Sequence, residues 1–497
     1  MSRDRIVVVG AGVAGLSAAT TIRRLAPEIE VVVLEAQARV GGLVETERTA
    51  AGFLMEHGAD SLVTTKPRGL AAVRAAGLGG DIVAGAGSRR SYVAGRDGLV
   101  PIPPILGALG PSAVWAFLKS PLLSRAGKAR AALEPLVPPR REGDDESVSA
   151  FAIRRFGREL TGALLDPLIG GIYGADTSRL SVDACLPRFR EFEREHGSVT
   201  LGMQRAMRAR RRRAAAGEVM LPPVVTLRRG MGSFPDALAR DLAVTFGVTV
   251  ERIMRAGRGF RLETASGAIG CDGVVLATPA WRIPAIVEGI APDLAADLAT
   301  VAHKAFDCVT LAWQSRDVPQ SLDGTGWVRA VDDARPTLAC TWSSQKWPER
   351  APPGFVLMRS VLSQSAGDDD DLVAAARADL RDLLGITARP AFAIVRRLPR
   401  ATPIYEVGHG KLVARMVARA AELGAFALAG NAYSGVGVPD CVASAEDAAR
   451  AVIAALVLGA RDADGAPASV ASARDISQVG APSIDGRGDD GMPPRGS

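Results

Sequence analysis

The sequence predicts an α/β protein of two domains, a Rossmann-like dinucleotide-binding domain and a mixed-sheet domain, with a helical insertion between them. Three observations predict it. A β-branched run at residues 6–9 feeds the glycine turn Gly10-Ala11-Gly12-Val13-Ala14-Gly15, then a helical pattern to Leu25, then a strand ending at Glu35. A second strand-into-glycine turn, Leu428-Ala429-Gly430-Asn431 followed by Gly435-Val436-Gly437-Val438, stands near the far end of the chain. Between them the pattern changes from helical to strand-like runs.

The first turn carries its own chemistry. Gly10 permits the tight strand-to-helix reversal, Gly12 lets backbone approach a pyrophosphate, and Gly15 allows helix and strand to pack closely. Glu35 stands about twenty residues beyond Gly15, where a carboxylate accepts hydrogen bonds from both ribose hydroxyls. An acid there selects an unphosphorylated ribose, so FAD or NAD rather than NADP. Arg39-Val40-Gly41-Gly42 follows at once, and a second glycine pair beside the cofactor favours a flavin.

The elements after the first unit follow in order. Residues 52–61 read as a short strand entering a glycine turn. Residues 98–118 carry no charge, but Pro101, Pro103, Pro104 and Pro111 break any spanning helix. That stretch is expected as a helical hairpin, either buried in a core or lying on a membrane surface with Trp115 and Phe117 as anchors. Residues 147–213 read as helical and end in Arg205, Arg208, Arg210, Arg211, Arg212 and Arg213, either a solvated helix end or a contact for anionic headgroups or an acidic substrate.

A glycine turn at residues 230–232 opens a helix expected over 235–243, with strands at 248–250 and 261–264 and a buried strand ending at Thr278-Pro279. Strand-like runs at 309–313, 337–342 and 355–361 accompany one helix, capped by the acids Asp368 to Asp371 and stopped by Gly385. An alanine-rich helix over 441–458 closes the fold, and the polar residues 460–497 are expected to be disordered. The domain boundaries expected are 1–88, 220–298 and 400–459 for a discontinuous FAD domain, 89–219 for the helical insertion, and 299–399 for substrate binding.

Composition narrows the class. Five scattered cysteines without a C-x-x-C pair argue against a disulfide framework and a zinc site, and no metal is expected. The N-terminus has no signal-peptide pattern, so a cytoplasmic protein is expected, whether free or peripheral on the cytoplasmic membrane face. A net charge of +6 over 497 residues does not call for nucleic acid.

Four narrower segments carry a family resemblance. They are Asp166-Pro167-Leu168-Ile169-Gly170-Gly171-Ile172-Tyr173-Gly174 with Leu180-Ser181; Glu193-Arg194-Glu195-His196-Gly197-Ser198; Pro403-Ile404-Tyr405-Glu406-Val407-Gly408-His409; and the run from Ala429 to Cys441. With the glycine fingerprint they make the chain resemble the oxygen-dependent protoporphyrinogen oxidases of the FAD-dependent amine oxidase superfamily, over about residues 5–458.

The resemblance implies oxidation of protoporphyrinogen IX to protoporphyrin IX in heme biosynthesis, with O2 as acceptor and peroxide as product. The alternative is coproporphyrinogen III oxidised to coproporphyrin III; another flavin amine oxidase or a carotenoid desaturase ranks behind. It implies that Gly10, Ala11, Gly12, Val13, Ala14, Gly15, Glu35 and Ala36 hold the adenosine and pyrophosphate, with Arg39 and Gly42 alongside. Leu43, Gly58, Ala59, Asp60 and Ser61 would lie near the isoalloxazine, Val250 at the adenine, and Asn431, Val436, Gly437 and Val438 at the C-terminal flavin edge. On the substrate side it implies Arg89 and Arg90 for the propionates, with Gly171, Thr325, Gly326 and Val328 lining the pocket. Thr325 stands where the family usually has a bulky aromatic, and Trp327 is the residue that could replace it. No catalytic acid or base is assigned, because the pyrroles flanking the reacting carbon stabilise the developing cation themselves. A homodimer is compatible with the resemblance.

Overall fold

The computed structural model describes residues 4–85, 90–103, 111–140, 143–331, 333–363 and 367–463. Its centre is a five-stranded sheet in the order Ala243–Phe246, Glu30–Glu35, Arg5–Val9, Gly273–Leu276, Phe426–Leu428, with every neighbouring pair parallel. The inner strands are buried on both faces, which is why they read as continuous apolar runs rather than alternating ones. Alternate residues face opposite layers. Ile6, Val8, Val33 and Val275 pack with the helices Val13–Leu25 and Val438–Ala463. Val7, Val9, Leu34 and Leu276 pack with an antiparallel meander, Val250–Ala256, Gly259–Thr264 and Gly267–Cys271, and with the helices Pro292–Ala299 and His409–Ala421.

The second sheet has seven strands, in the order Phe392–Pro403, His303–Gln314, Phe355–Ser363, Thr337–Thr341, Gly326–Arg329, Tyr92–Gly95, Gly98–Pro101. Only Gly326–Arg329 and Tyr92–Gly95 pair in parallel. The helix Asp369–Leu384 covers one face. It starts from a capping box between Asp368 and Asp371 and stops at Gly385 with φ 69°, as the acids and the glycine lead one to expect. The helical insertion has a separate core around Phe151, Phe156, Leu180 and Tyr405. Arg155 and Glu134, both fully buried, tie it together, and Glu134 also accepts from Ser198 Oγ at 2.5 Å and from the amides of Val199 and Thr200.

Three expectations are corrected. The strands Tyr92–Gly95 and Gly98–Pro101 lie in the second sheet, not in the helical insertion, because their backbones pair with Gly326–Arg329 and with each other. The uncharged stretch from residue 98 therefore opens as a strand, and among its described residues only Pro111–Lys119 is helical. The helix after the 230–232 turn ends at Ala239, and Ala243–Phe246 becomes an edge strand beside Glu30–Glu35. The closing helix runs from Val438 to Ala463. Arg89 and the tail from residue 464 lie outside the described residues. Among the described residues no helix is long and apolar enough to cross a membrane.

Candidate functional site

All strands of the first sheet run the same way, so the turns after Arg5–Val9, Gly273–Leu276 and Phe426–Leu428 open at one edge, the carboxyl edge where α/β sheets bind ligands. At the first turn Gly10 takes φ 103°, and a Cβ there would stand 2.8 Å from the Ala277 carbonyl oxygen. A Cβ on Gly15 would lie 1.8 Å from the Gly10 carbonyl oxygen, which is the close helix–strand packing expected of it. Gly12 is different. A Cβ there would meet only Gly42 Cα, at 4.0 Å, so it borders open space.

The two glycine turns lie against each other through a Gly12–Gly41 bridge, with the Gly41 amide donating to the Ala11 carbonyl at 2.8 Å. Arg39 fixes the second turn by donating to the carbonyls of Val40 and Gly42 at 3.1 and 2.8 Å and to Glu45 at 3.1 Å. The Glu35 carboxylate accepts from the amides of Ala11 at 2.7 Å and Gln37 at 2.8 Å, so it is aimed along the mouth of the fingerprint turn with Ala36 exposed beside it. Val250 is buried two residues beyond Val248, whose amide donates to the Glu35 carbonyl at 2.9 Å.

These residues fit an FAD. The helix Val13–Leu25 starts with no capping side chain and no acid in its first turn, leaving its amides for an anion such as a pyrophosphate. At the same sheet edge Thr278 Oγ1 and the Tyr433 hydroxyl are buried without a hydrogen-bond partner, as polar atoms awaiting a ligand would be.

The proposed isoalloxazine wall flanks a two-stranded hairpin, Thr46–Arg48 with Leu54–Glu56, and is held by residues of the second sheet's domain. Gly58 packs on Leu43, since a Cβ there would lie 1.7 Å from the Leu43 carbonyl oxygen. Arg359, from Phe355–Ser363, donates to the carbonyls of Glu56 at 2.8 Å and Gly58 at 2.7 Å. Asp60 receives Lys346 Nζ at 2.8 Å, Trp347 Nε1 at 3.3 Å and Ser61 Oγ at 2.6 Å. Burial would raise the Asp60 carboxyl, but the Lys346 ammonium and Arg359 guanidinium outweigh it and hold that group well below the usual carboxylate range. Sequence reasoning missed Lys346, Trp347 and Arg359; Lys346-Trp347 sits at a short helical turn with no periodic signal, and Arg359 is a lone cation in an apolar strand. It also missed Trp281, which lies just beyond the Thr278-Pro279 turn under the guanidinium groups of both Arg282 and Arg400.

On the substrate side the parallel pairing of Tyr92–Gly95 with Gly326–Arg329 brings Arg90 to Thr325. The Arg90 carbonyl accepts from the Thr325 amide at 2.9 Å and hydroxyl at 3.1 Å, and the Ser91 and Thr325 hydroxyls are 2.9 Å apart. The Arg90 guanidinium reaches Asp323 at 2.6 Å, and Asp323 also accepts from the Tyr92 hydroxyl. Those two groups hold the Asp323 carboxyl below its ordinary range. Gly326 adopts φ 136°, and a Cβ there would clash with the Cys340 carbonyl oxygen at 2.0 Å. Gly171 faces Val328, whose Cγ1 would lie 3.9 Å from a Cβ at Gly171, across a seam between the helical insertion and the second sheet. Trp327 does not substitute for the missing aromatic. Its ring belongs to the core under Asp369–Leu384, the face opposite Val328.

The last wall is the C-terminal turn. Gly430 and Gly435 take φ 141° and 144°, and the Asn431 side-chain amide donates to the Ala401 carbonyl at 3.4 Å. Val438 opens the closing helix against the core that also holds Val13, so Val436, Gly437 and Val438 share an edge with the fingerprint turn.

Comparison with known proteins agrees with this geometry. A family model described as flavin-containing amine oxidoreductase matches residues 13–453. The coproporphyrinogen III oxidase of Propionibacterium freudenreichii subsp. freudenreichii is 33% identical over 489 residues, covering 91% of each chain. Protoporphyrinogen oxidase 1, chloroplastic, of Arabidopsis thaliana is 28% identical, covering 89% of this chain and 87% of its own. A crystal structure provisionally assigned as a protoporphyrinogen oxidase, from Exiguobacterium sp. 255-15, superposes with TM-score 0.78 at 30% identity, over 91% of this chain and 99% of that one.

Proposed function

The chain belongs to the flavin-containing amine oxidoreductase family, and from that premise we propose that it oxidises coproporphyrinogen III to coproporphyrin III with O2 as acceptor. It is an oxidoreductase, and its cofactor is FAD. The observation that carries the substrate is the likeness at 33% identity, over nine-tenths of both chains, to a relative named for coproporphyrinogen III. The polar rim agrees with it: Arg90, Ser91 and Thr325 stand together where a substrate with four propionates needs hydrogen-bond donors rather than an aromatic ring.

Oxidation to the porphyrin removes six electrons and six hydrogens and consumes three O2 to give three H2O2. FAD, when bound, supplies the two-electron acceptor for each of the three rounds. The protein's own residues bind and orient. Gly10 to Gly15, Glu35, Ala36, Arg39, Gly42 and Val250 hold the adenosine and pyrophosphate. Leu43, Gly58 to Ser61, Asn431 and Val436 to Val438 border the ring, and Lys346 and Arg359 keep Asp60 ionised there. Gly171 and Val328 line the side of the pocket where the helical insertion meets the second sheet, and Arg90 anchors the substrate's carboxylates once they displace Asp323.

Protoporphyrinogen IX is the second reading, favoured by the likeness to the chloroplastic enzyme at 28% identity. Both porphyrinogens, prepared anaerobically and assayed by porphyrin fluorescence on admitting air, separate the two. A higher kcat/KM for coproporphyrinogen III is expected; a higher value for protoporphyrinogen IX reverses the assignment, and no oxidation of either refutes both. We also propose peripheral contact with anionic membranes through the helical insertion, where Trp115, Leu118 and Leu136 are exposed and Lys119 lies over the Trp115 ring. Co-sedimentation with anionic liposomes should fall on Trp115→Ser with Leu118→Ser; unchanged sedimentation rejects the contact.

A further inference from the structure

The motif around Tyr405 has no role in the function so far, yet its side chains end on the C-terminal cofactor turn. After Phe426–Leu428 the chain leaves the sheet, Gly430 turns at φ 141°, and Asn431 and Ala432 lie beyond the strand. Two side chains satisfy the carbonyls of these consecutive residues. The Tyr405 hydroxyl donates to the Asn431 oxygen, and His409 Nε2 lies 2.9 Å from the Ala432 oxygen, an arrangement that requires Nε2 to carry the proton. The two rings stack on each other with centroids 4.2 Å apart and planes 16° from parallel. Both are almost wholly buried, at 1% and 4% exposure, so neither hydrogen bond competes with water.

The same segment is anchored elsewhere by its backbone. The Tyr405 carbonyl accepts from the Ser181 amide at 2.8 Å, and the Val407 amide donates to the Arg179 carbonyl at 3.0 Å. Tyr405 therefore has its main chain fixed to the helical insertion and its hydroxyl fixed to the cofactor turn.

We propose that Tyr405 and His409 are positioning residues for the flavin, a stacked pair that sets the height of the Asn431–Ala432 turn against the cofactor and locks it to the helical insertion. The proposal rests on the reading of that turn as a flavin wall. Neither ring reacts; the pair acts through two backbone carbonyls.

Tyr405→Phe keeps the stack and removes only the hydroxyl, and His409→Leu removes the second donor, while His409→Gln restores an N–H at similar reach. FAD affinity is measured by titrating apoprotein and following flavin fluorescence, with the visible circular dichroism of the bound flavin as a second readout. Tyr405→Phe and His409→Leu should each weaken FAD about tenfold and alter the visible dichroism, and His409→Gln should bring affinity back to within about threefold of the parent. Affinity within twofold of the parent and an unchanged dichroism in Tyr405→Phe and His409→Leu, even with a lowered melting temperature, would overturn the proposal by leaving the pair a packing role only. Asn431→Asp, isosteric and newly charged, separates the two layers. If it binds FAD like the parent, the wall reading falls and the proposal with it. If it loosens FAD while the Tyr405 and His409 variants do not, the positioning role alone is wrong.

Discussion

Replacing Lys346 by methionine should cost about 2 kcal/mol, and the reason can be read from the charges around Asp60. Only 14% of the Asp60 side chain and 25% of the Lys346 side chain are exposed, and the ion pair between them is 2.8 Å long. Truncating one partner of a fully buried pair costs about 3–5 kcal/mol, because the other charge is left without its counter-ion. Here Lys346 is partly solvated, and Ser61, Trp347 and Arg359 still face the carboxylate, so roughly half of that is expected. For a chain of 497 residues that is about 2 °C in melting temperature.

The pH dependence has a definite sign. The Asp60 carboxyl is depressed in the folded protein, so its stabilisation is complete above the unfolded value of about 3.9 and disappears as pH falls through the depressed one. In Lys346→Met the folded value climbs while Arg359 still faces the carboxylate, so the deficit against the parent is full wherever both folded carboxyls are ionised and shrinks only as pH falls through the variant's folded value. Thermal melts of both proteins between pH 4.5 and 8, with Asp60→Asn and the double variant completing a cycle, measure it. If Lys346→Met destabilises equally in the Asp60→Asn background, the pair carries no coupling and the electrostatic account of this wall is wrong.

Other substitutions test separate parts of the molecule. Gly15→Ala puts a methyl 1.8 Å from the Gly10 carbonyl oxygen, so it should cost about 3 kcal/mol and yield purified protein without flavin absorbance. Glu134→Ala takes from Arg155 its nearer counter-ion and leaves Glu193 at 3.5 Å, with all three side chains at 0% exposure, and should cost about 3 kcal/mol; limited proteolysis should then cut the helical insertion first. Arg90→Ala should raise KM for the porphyrinogen about tenfold with little change in kcat, as the loss of one charge-assisted carboxylate contact predicts, and an unchanged KM would remove Arg90 from the substrate site.

What could be read from the sequence divides along a physical line. The fingerprint turn was legible because each glycine answers a local demand: a positive φ at Gly10, a 1.8 Å approach at Gly15, open space at Gly12. The capping acids at Asp368 and the stop at Gly385 were legible for the same reason. Pairing across long sequence distances was not. The strand at Gly98 looks like the start of an apolar hairpin, and the strand at Tyr92 falls in the expected helical insertion, because the partner that joins them to a sheet, Gly326–Arg329, lies over two hundred residues away. The strand Ala243–Phe246 was not legible for a similar reason, its first residue being taken as the end of a helix: an exposed edge strand has one neighbour and a weak apolar pattern, and its assignment depends on Glu30–Glu35.

The same distinction explains why the site's electrostatics stayed hidden while its cofactor did not. A dinucleotide is held largely by backbone, and backbone geometry leaves glycines as its trace. The charge at Asp60 is set by Lys346, at the short helical turn between Thr337–Thr341 and Phe355–Ser363, and by Arg359 on the latter strand, and no spacing rule connects them to Asp60. The consequence concerns how the two halves cooperate. Arg359 donates to the Glu56 and Gly58 carbonyls, and Lys346 and Trp347 donate to Asp60, so the second sheet grips the proposed flavin wall by both its main chain and its one ionised side chain. A substrate that shifts the Gly326–Arg329 strand would act on the same sheet that holds this wall, since Gly326–Arg329 pairs with Thr337–Thr341 and that strand with Phe355–Ser363, which carries Arg359. Occupancy of the porphyrinogen pocket should therefore tighten FAD, and FAD should tighten the porphyrin product by the same factor, as linkage between two sites requires. Titrating FAD into apoprotein with and without the coproporphyrin product measures that factor directly, and equal affinities would mean that the two walls are mechanically independent.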